Sequence, residues 1–338
     1  MWTRQRRPRV VVVTGASSGV GRAVARAFGQ RGDRVALMAR NSTALERAAE
    51  EVRDVGGEPL THVIDVADPD AVEEAAEHVV ERWGSIDVWV NNAMVTVFAP
   101  VHATRPEEYR RVTEVTYLGT VYGTLSALGR MRAAGQGVII QIGSALAYRS
   151  IPLQSSYCAA KAAIRGFTDS LRCELLHEGS PVRVTMLQLP AVNTPQFDIS
   201  RNHMRRRPQP VPPIYQPEVV GRAAVHAADH PARELWVGGS TYKAIWGQRI
   251  APGLLDRYLA REAYGAQLTS EPDDPERQDN LDAPVPGDRG SHGRFDSSSR
   301  PRSVQLWGRI HRLALGGGVL GAGLAGASLL GLKRRRGR

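Results

Sequence analysis

Cysteine is nearly absent: 338 residues carry two, Cys158 and Cys173. Two thiols in one helical stretch, without paired spacing, argue against a disulfide framework or a cysteine zinc site and fit a reducing cytoplasm; no metal is expected. Acidic residues are missing locally. Residues 300–338 hold nine Arg or Lys and no acid, and the basic arm 1–9 carries Arg4, Arg6, Arg7 and Arg9. These ends outweigh the whole formal charge of +10 and leave the body, 10–299, at net −3. A nucleic-acid binder carries its positive patch on the domain that docks, so no nucleic-acid partner is expected, whereas basic ends suit a membrane surface. Behind the N-terminal arginines there is no long apolar run with a cleavage site, which argues against a secretory leader.

What is present is the composition of a folded body, 42% hydrophobic and 23% charged. Short apolar runs at 10–14, 34–39, 61–65, 88–91, 137–142, 182–189 and 234–237 alternate with helical periodicity at 21–30, 44–55, 69–83, 109–134 and 156–176. That alternation predicts βαβ units in one Rossmann-type, doubly wound parallel α/β sheet, a single domain over 10–265 with a C-terminal extension. No internal repeat interrupts it.

Three segments stand outside the pattern. Residues 199–217, with Arg205, Arg206, Arg207 and five prolines, read as a surface loop placed to cover a substrate. Residues 270–303 are rich in Pro, Asp, Gly, Ser and Arg, poor in apolar side chains, and read as a disordered linker. Residues 313–332 lack any charge, and twenty helical residues at ~1.5 Å each reach ~30 Å, about one bilayer core. With the basic end 333–338 they read as a membrane anchor for a cytoplasmic catalytic domain, although seven glycines in the run also suit a surface-lying tail.

The first apolar run leads into Thr14-Gly15-Ala16-Ser17-Ser18-Gly19-Val20-Gly21 and then a helix. Such a turn brings backbone N–H groups and a helix N-terminus against a pyrophosphate, because glycine has no Cβ to block the approach. Tyr157 and Lys161 stand at i and i+4 on one helical face, where an ammonium beside the phenol would lower its pKa and ready it for proton transfer. The Ser144 hydroxyl, thirteen residues upstream of Tyr157, can hold a carbonyl oxygen. At the end of the second run stands Arg40, which suits a 2′-phosphate, rather than an acid, which would suit a 2′-hydroxyl.

Together, Thr-Gly-x-x-x-Gly-x-Gly, Asn91-Asn92-Ala93 and Ser144 with Tyr157-x-x-x-Lys161 resemble the short-chain dehydrogenase/reductase family over about residues 10–250. The resemblance implies a catalytic set of Ser144, Tyr157 and Lys161, with Thr116 where the family has an asparagine that supports a relay water. It implies cofactor contacts from Thr14, Gly15, Ser17, Ser18, Gly19, Val20, Gly21, Arg40, Asp65, Val66, Asn92, Ala93, Tyr157, Lys161, Pro190, Val192 and Thr194. Met94 and Ala191 also depart from the pattern, each standing where the family has glycine. The expected activity is interconversion of a carbonyl and an alcohol with NADP(H) in preference to NAD(H), on a small and lipophilic substrate. A membrane-tethered NADP(H)-binding scaffold or redox sensor without turnover is the alternative. Helices at 109–134 and 156–176 would pair copies into a homo-oligomer.

Overall fold

The computed structural model describes residues 7–311. Seven strands, β1 (Val10–Thr14), β2 (Arg34–Ala39), β3 (Glu58–Val63), β4 (Val88–Asn91), β5 (Gly137–Ile142), β6 (Val182–Gln188) and β7 (Glu234–Trp236), form one sheet in the order β7-β6-β5-β4-β1-β2-β3. Every pairing in it is parallel. β1 is buried along its whole length, as a central parallel strand must be: Val11 and Val13 face one core, Val10 and Val12 the other.

The first core packs α1 (Gly19–Gly29) and α2 (Ser42–Asp54) on the sheet through Val24, Phe28, Leu45 and Val52. The second packs α3 (Pro69–Trp83) through Val72 and Val79. The expected helix at 109–134 is three pieces: α4 (Pro106–Val112), a π-helical turn Thr113–Leu118 and α5 (Gly119–Ala133). α6 (Ser155–His177) joins the second core and α7 (Pro217–Asp229) the first. Chain order reverses between β1 and β4, so the ligand crevice of such a sheet opens at their C-terminal ends.

β3 departs from expectation. It begins three residues before the apolar run at 61–65 and contains Pro59, which a sheet accepts because β3 is an edge strand. Residues 199–217 are not a loose loop either. Arg201–Asn202 pairs with Val97–Phe98, Arg206–Pro208 with Leu268–Pro272, and Ile214–Tyr215 with Ala191–Val192 and Ser299–Arg300.

The disordered linker expected at 270–303 is overturned. After α8 (Gly239–Ile250) and α9 (Pro252–Ala266), the chain runs back over the body as a strap and ends in α10 (Val304–Ile310). Leu281 is fully buried, and Leu306 joins the first core. Composition counted only what the segment could bury by itself. The strap instead uses the body's surface, its backbone carbonyls and acids answering arginines such as Arg40, Arg111 and Arg201. At the other end, Arg9 of the basic arm binds Asp33 and Asp229. The anchor expected at 313–332 and the basic end 333–338 lie outside the described residues. Among the described residues no helix is long and apolar enough to cross a membrane.

Candidate functional site

Glycine makes the floor of the crevice. A Cβ on Gly15, whose φ is +66°, would stand 2.8 Å from Ala93 Cα, and one on Gly21 would stand 2.1 Å from the Gly15 carbonyl oxygen. The turn after β1 is therefore pressed against the turn after β4. Thr14 and Asn92 tie the two together: Thr14 Oγ1 accepts from the amides of Asn92 (2.9 Å) and Ala93 (3.1 Å), and Asn92 Nδ2 donates to the Thr14 carbonyl at 2.9 Å. At the start of α1 the Ser18 side chain makes no cap hydrogen bond, so the helix dipole and first-turn amides are not answered by the usual capping side chain. Such a floor fits a nucleotide's phosphates.

A cavity of about 410 Å³ runs from this turn along the C-terminal ends of the strands. Of the expected cofactor residues, Gly15, Ser17, Ser18, Gly19, Val20, Arg40, Asp65, Val66, Asn92, Ala93, Pro190, Val192 and Thr194 line it, as do Ser144, Tyr157 and Lys161. Thr14 and Gly21 lie behind the wall and shape it. Met94 and Ala191, the two departures from the family pattern, are both in the lining.

Ser144 caps the short 3-10 turn after β5, its Oγ accepting from the Leu146 amide at 3.1 Å, and it lines the same cavity as Tyr157. Lys161, one turn further along α6, is buried and donates from Nζ to the Ile142 carbonyl at 2.7 Å; Nζ lies 5.6 Å from the Tyr157 ring centre. Desolvation pushes the Tyr157 phenol well above its ordinary value of 10.0, and the Ser144 hydroxyl offsets only part of that. The same effect pulls Lys161 down from 10.5 to about 8. The lowered phenol pKa expected from i, i+4 spacing is thus corrected: burial outweighs the neighbour, whose ammonium hydrogen-bonds to a backbone carbonyl.

Thr116 does not join this group. It is fully buried on the π-helical turn, and its Oγ1 both accepts from the Val95 amide and donates to the Val95 carbonyl, each at 3.2 Å. It pins the chain that follows Asn92. At the other end of the cavity Asp65 pairs with Arg111, and Arg40 approaches it at 4.0 Å.

Sequence reasoning missed Asn41, Gln154 and the strap residues Asn280, Val285, Gly287 and Arg289, all of which line the cavity. Asn41 had a legible signal, being the residue after Arg40 and the N-cap of α2. The strap had none, because its partners lie some two hundred residues away in the chain.

Residues 9–205 match the short chain dehydrogenase family. The uncharacterized oxidoreductase YxnA of Bacillus subtilis is 32% identical over 275 residues, which is 81% of this chain and 77% of that one. Dehydrogenase/reductase SDR family member 7B of Bos taurus is 32% identical over 282 residues, 78% of this chain and 84% of its own. Among solved structures, a short-chain dehydrogenase from Streptomyces avermitilis is similar with a TM-score of 0.64 and 27% identity, covering 77% of this chain and 98% of its own. The alcohol dehydrogenase of the archaeon Thermococcus sibiricus, complexed with 5-hydroxy-NADP, gives 0.60 and 29%, covering 68% of this chain and 96% of its own. The chain belongs to the short-chain dehydrogenase family and is an oxidoreductase of that family.

Proposed function

We propose that this oxidoreductase interconverts a carbonyl and an alcohol on a small lipophilic substrate, uses NADP(H) in preference to NAD(H), and employs Tyr157 as general acid and base. The observation that carries the proposal is that Ser144, Tyr157 and Lys161 line the same cavity as the glycine turn. Two similar solved structures, the Thermococcus enzyme and a metagenomic short-chain oxidoreductase, are NADP-type complexes, which supports the nucleotide class. A nicotinamide nucleotide bound along the turn supplies or accepts the hydride. Ser144 holds the carbonyl oxygen, and the phenol of Tyr157, protonated at neutral pH, gives its proton to that oxygen as negative charge develops there. Apolar wall residues such as Ile151, Phe197, Val211 and Leu259 suit a lipophilic substrate and keep water from the reacting atoms.

The test is nicotinamide absorbance during incubation of the full chain with NADPH and a panel of aldehydes and ketones. Turnover on any of them supports the proposal; tight NADPH binding with none supports a nucleotide-binding scaffold instead. That second reading draws on one observation, the Thr116 hydroxyl being occupied on Val95 rather than facing the cavity.

Two further results are expected. Arg40→Ala weakens NADPH binding by about 10–100-fold and leaves NADH binding within about twofold, since only the 2′-phosphate loses its charged donors; titration of each nucleotide checks this. Lys161 is charged in the folded protein below about pH 8 and neutral above it. The reductive kcat/KM is therefore flat up to about pH 8 and falls above it as the positive field beside Tyr157 disappears, which a pH–rate profile measures. Stability moves oppositely. The folded value lies below the unfolded 10.5, so the cost of the buried ammonium is present below pH 8 and lifts between about 8 and 10.5.

A further inference from the structure

The strap segment 279–290 crosses the end of the cavity beside β2, and the bonds holding it there engage groups of the nucleotide site itself. Arg40 donates to the carbonyls of Leu281 (3.3 Å), Asp282 (3.1 Å) and Asn280. Asn41 Nδ2 donates to the carbonyls of Val285 (2.7 Å) and Gly287 (3.0 Å). The amide of Gly19, the first residue of α1, donates to the Gly290 carbonyl at 3.0 Å. Below the turn, buried Arg22 binds the Asp288 carboxylate.

These partners have a common chemistry. Each cavity-lining group offers N–H donors at a place where a dinucleotide presents phosphate or ribose oxygens, and each is answered by a strap carbonyl. A guanidinium has five donors in one plane, and both terminal nitrogens of Arg40 are engaged by the three carbonyls. A phosphate dianion is a stronger acceptor than a peptide carbonyl and binds a guanidinium through two parallel bonds. The carbonyls take three of the five donors, and their negative ends repel a phosphate brought to the same guanidinium. The phosphate and the strap therefore compete for Arg40.

We propose that 279–290 is a latch opened by the nucleotide's 2′-phosphate: the carbonyls of Asn280, Leu281 and Asp282 hold Arg40 until the phosphate takes their place and the strap lifts. The inference rests on the nucleotide site proposed above and adds a specificity device to it. A nucleotide without the 2′-phosphate meets the strap only at the Gly19 amide and Asn41 and leaves Arg40 with the carbonyls of 280–282. One with it must first displace the strap, so its affinity is lowered by the fraction of time the latch is closed. Asp288 is a hold on the latch rather than on the nucleotide. Removing its charge does not orphan Arg22, which keeps Glu51 at 2.9 Å.

The test uses the full chain with two probes, 2′,5′-ADP and 5′-AMP, neither of which can undergo the redox reaction. Binding is followed calorimetrically and backbone hydrogen exchange by mass spectrometry. In the structure the Asn280 amide donates to the Ile199 carbonyl and the Leu281 amide to Asp279, so the closed latch protects them. Saturating 2′,5′-ADP is expected to raise exchange at 280–282, the part of the strap on Arg40, and saturating 5′-AMP to leave that part unchanged. Asp288→Asn is expected to tighten 2′,5′-ADP by about tenfold, the change for a latch closed about nine-tenths of the time, and 5′-AMP by less, since 5′-AMP gains only at the Gly19 end. Binding of 2′,5′-ADP with exchange at 280–282 unchanged or slowed overturns the latch while leaving the nucleotide site standing. Failure of both probes to bind overturns the nucleotide site, and the latch with it. The exchange measurement is made on the unaltered chain, so it does not depend on how the Asp288 variant folds.

Discussion

Replacing Tyr157 by phenylalanine lowers the rate of carbonyl reduction by about 10²–10⁴-fold, the range for loss of a positioned general acid, and leaves nucleotide affinity within about twofold. The substitution removes one oxygen from a half-buried ring on α6 and adds nothing, so packing hardly changes. What disappears is the proton donor. Burial holds that phenol well above its ordinary value, so at neutral pH it is protonated in essentially every molecule. Steady-state rates with NADPH, set beside nucleotide titration of the same variant, separate the proton from the binding. A variant that keeps its kcat would sink the general-acid role, whereas one that loses both rate and affinity would mean that the hydroxyl holds the nucleotide instead. Ser144→Ala is the gentler companion, since its hydroxyl orients the oxygen but donates no proton away.

The residues behind this experiment were legible because their chemistry depends on short spacing. Glycines at 15, 19 and 21 follow a run of four valines, and Tyr157 and Lys161 are one helical turn apart. Neither signal needs the rest of the chain. The central strands were legible for a related reason: strands buried on both faces are written as unbroken apolar runs, as in β1, β2 and β4. Legibility failed where a neighbour decides. β3 is an edge strand that is polar enough to read as loop at its start, and only its pairing with β2 extends it back to Glu58. Helical periodicity runs on smoothly through 109–134, yet the backbone takes a π-helical turn there, which sets Thr116 on Val95.

Charge misled twice, for one physical reason. The spacing of Tyr157 and Lys161 says that they are neighbours but not how deeply they are buried, and depth reverses the sign of the phenol's shift. In the strap, a polar composition said that no core could form within it. It could not say that Arg22, Arg40, Arg111 and Arg201 elsewhere in the chain had donors to spare for it. A polar segment orders when a folded surface supplies the partners it lacks, and sequence distance hides that surface.

Gly21→Ala carries the second large effect, on binding rather than on chemistry. A Cβ at this position would meet the Gly15 carbonyl oxygen at 2.1 Å and Asn92 Nδ2 at 2.5 Å. The oxygen is backbone and cannot rotate away, and Asn92 is fixed by its bonds to the Thr14 and Gly15 carbonyls at 2.9 and 3.2 Å. Relief therefore requires the turn after β1 to lift off the turn after β4, and with it the amides that face the phosphates. Overpacking of this kind costs about 2–3 kcal/mol, seen as a melting temperature lower by roughly 5 °C. Misplacing the amides by about an ångström costs a further ~10²-fold in nucleotide affinity, since their value lies in being preorganised. Gly129→Ala is the internal control. It lies in the exposed face of α5 with nothing within 4 Å of its added Cβ, and alanine there should raise stability by about 0.5–1 kcal/mol through helix propensity alone. Thermal melts and nucleotide titrations of the two variants side by side distinguish the cost of a methyl group from the cost of this place. If Gly21→Ala melts and binds like Gly129→Ala, the close approach of the two turns is not what holds the nucleotide.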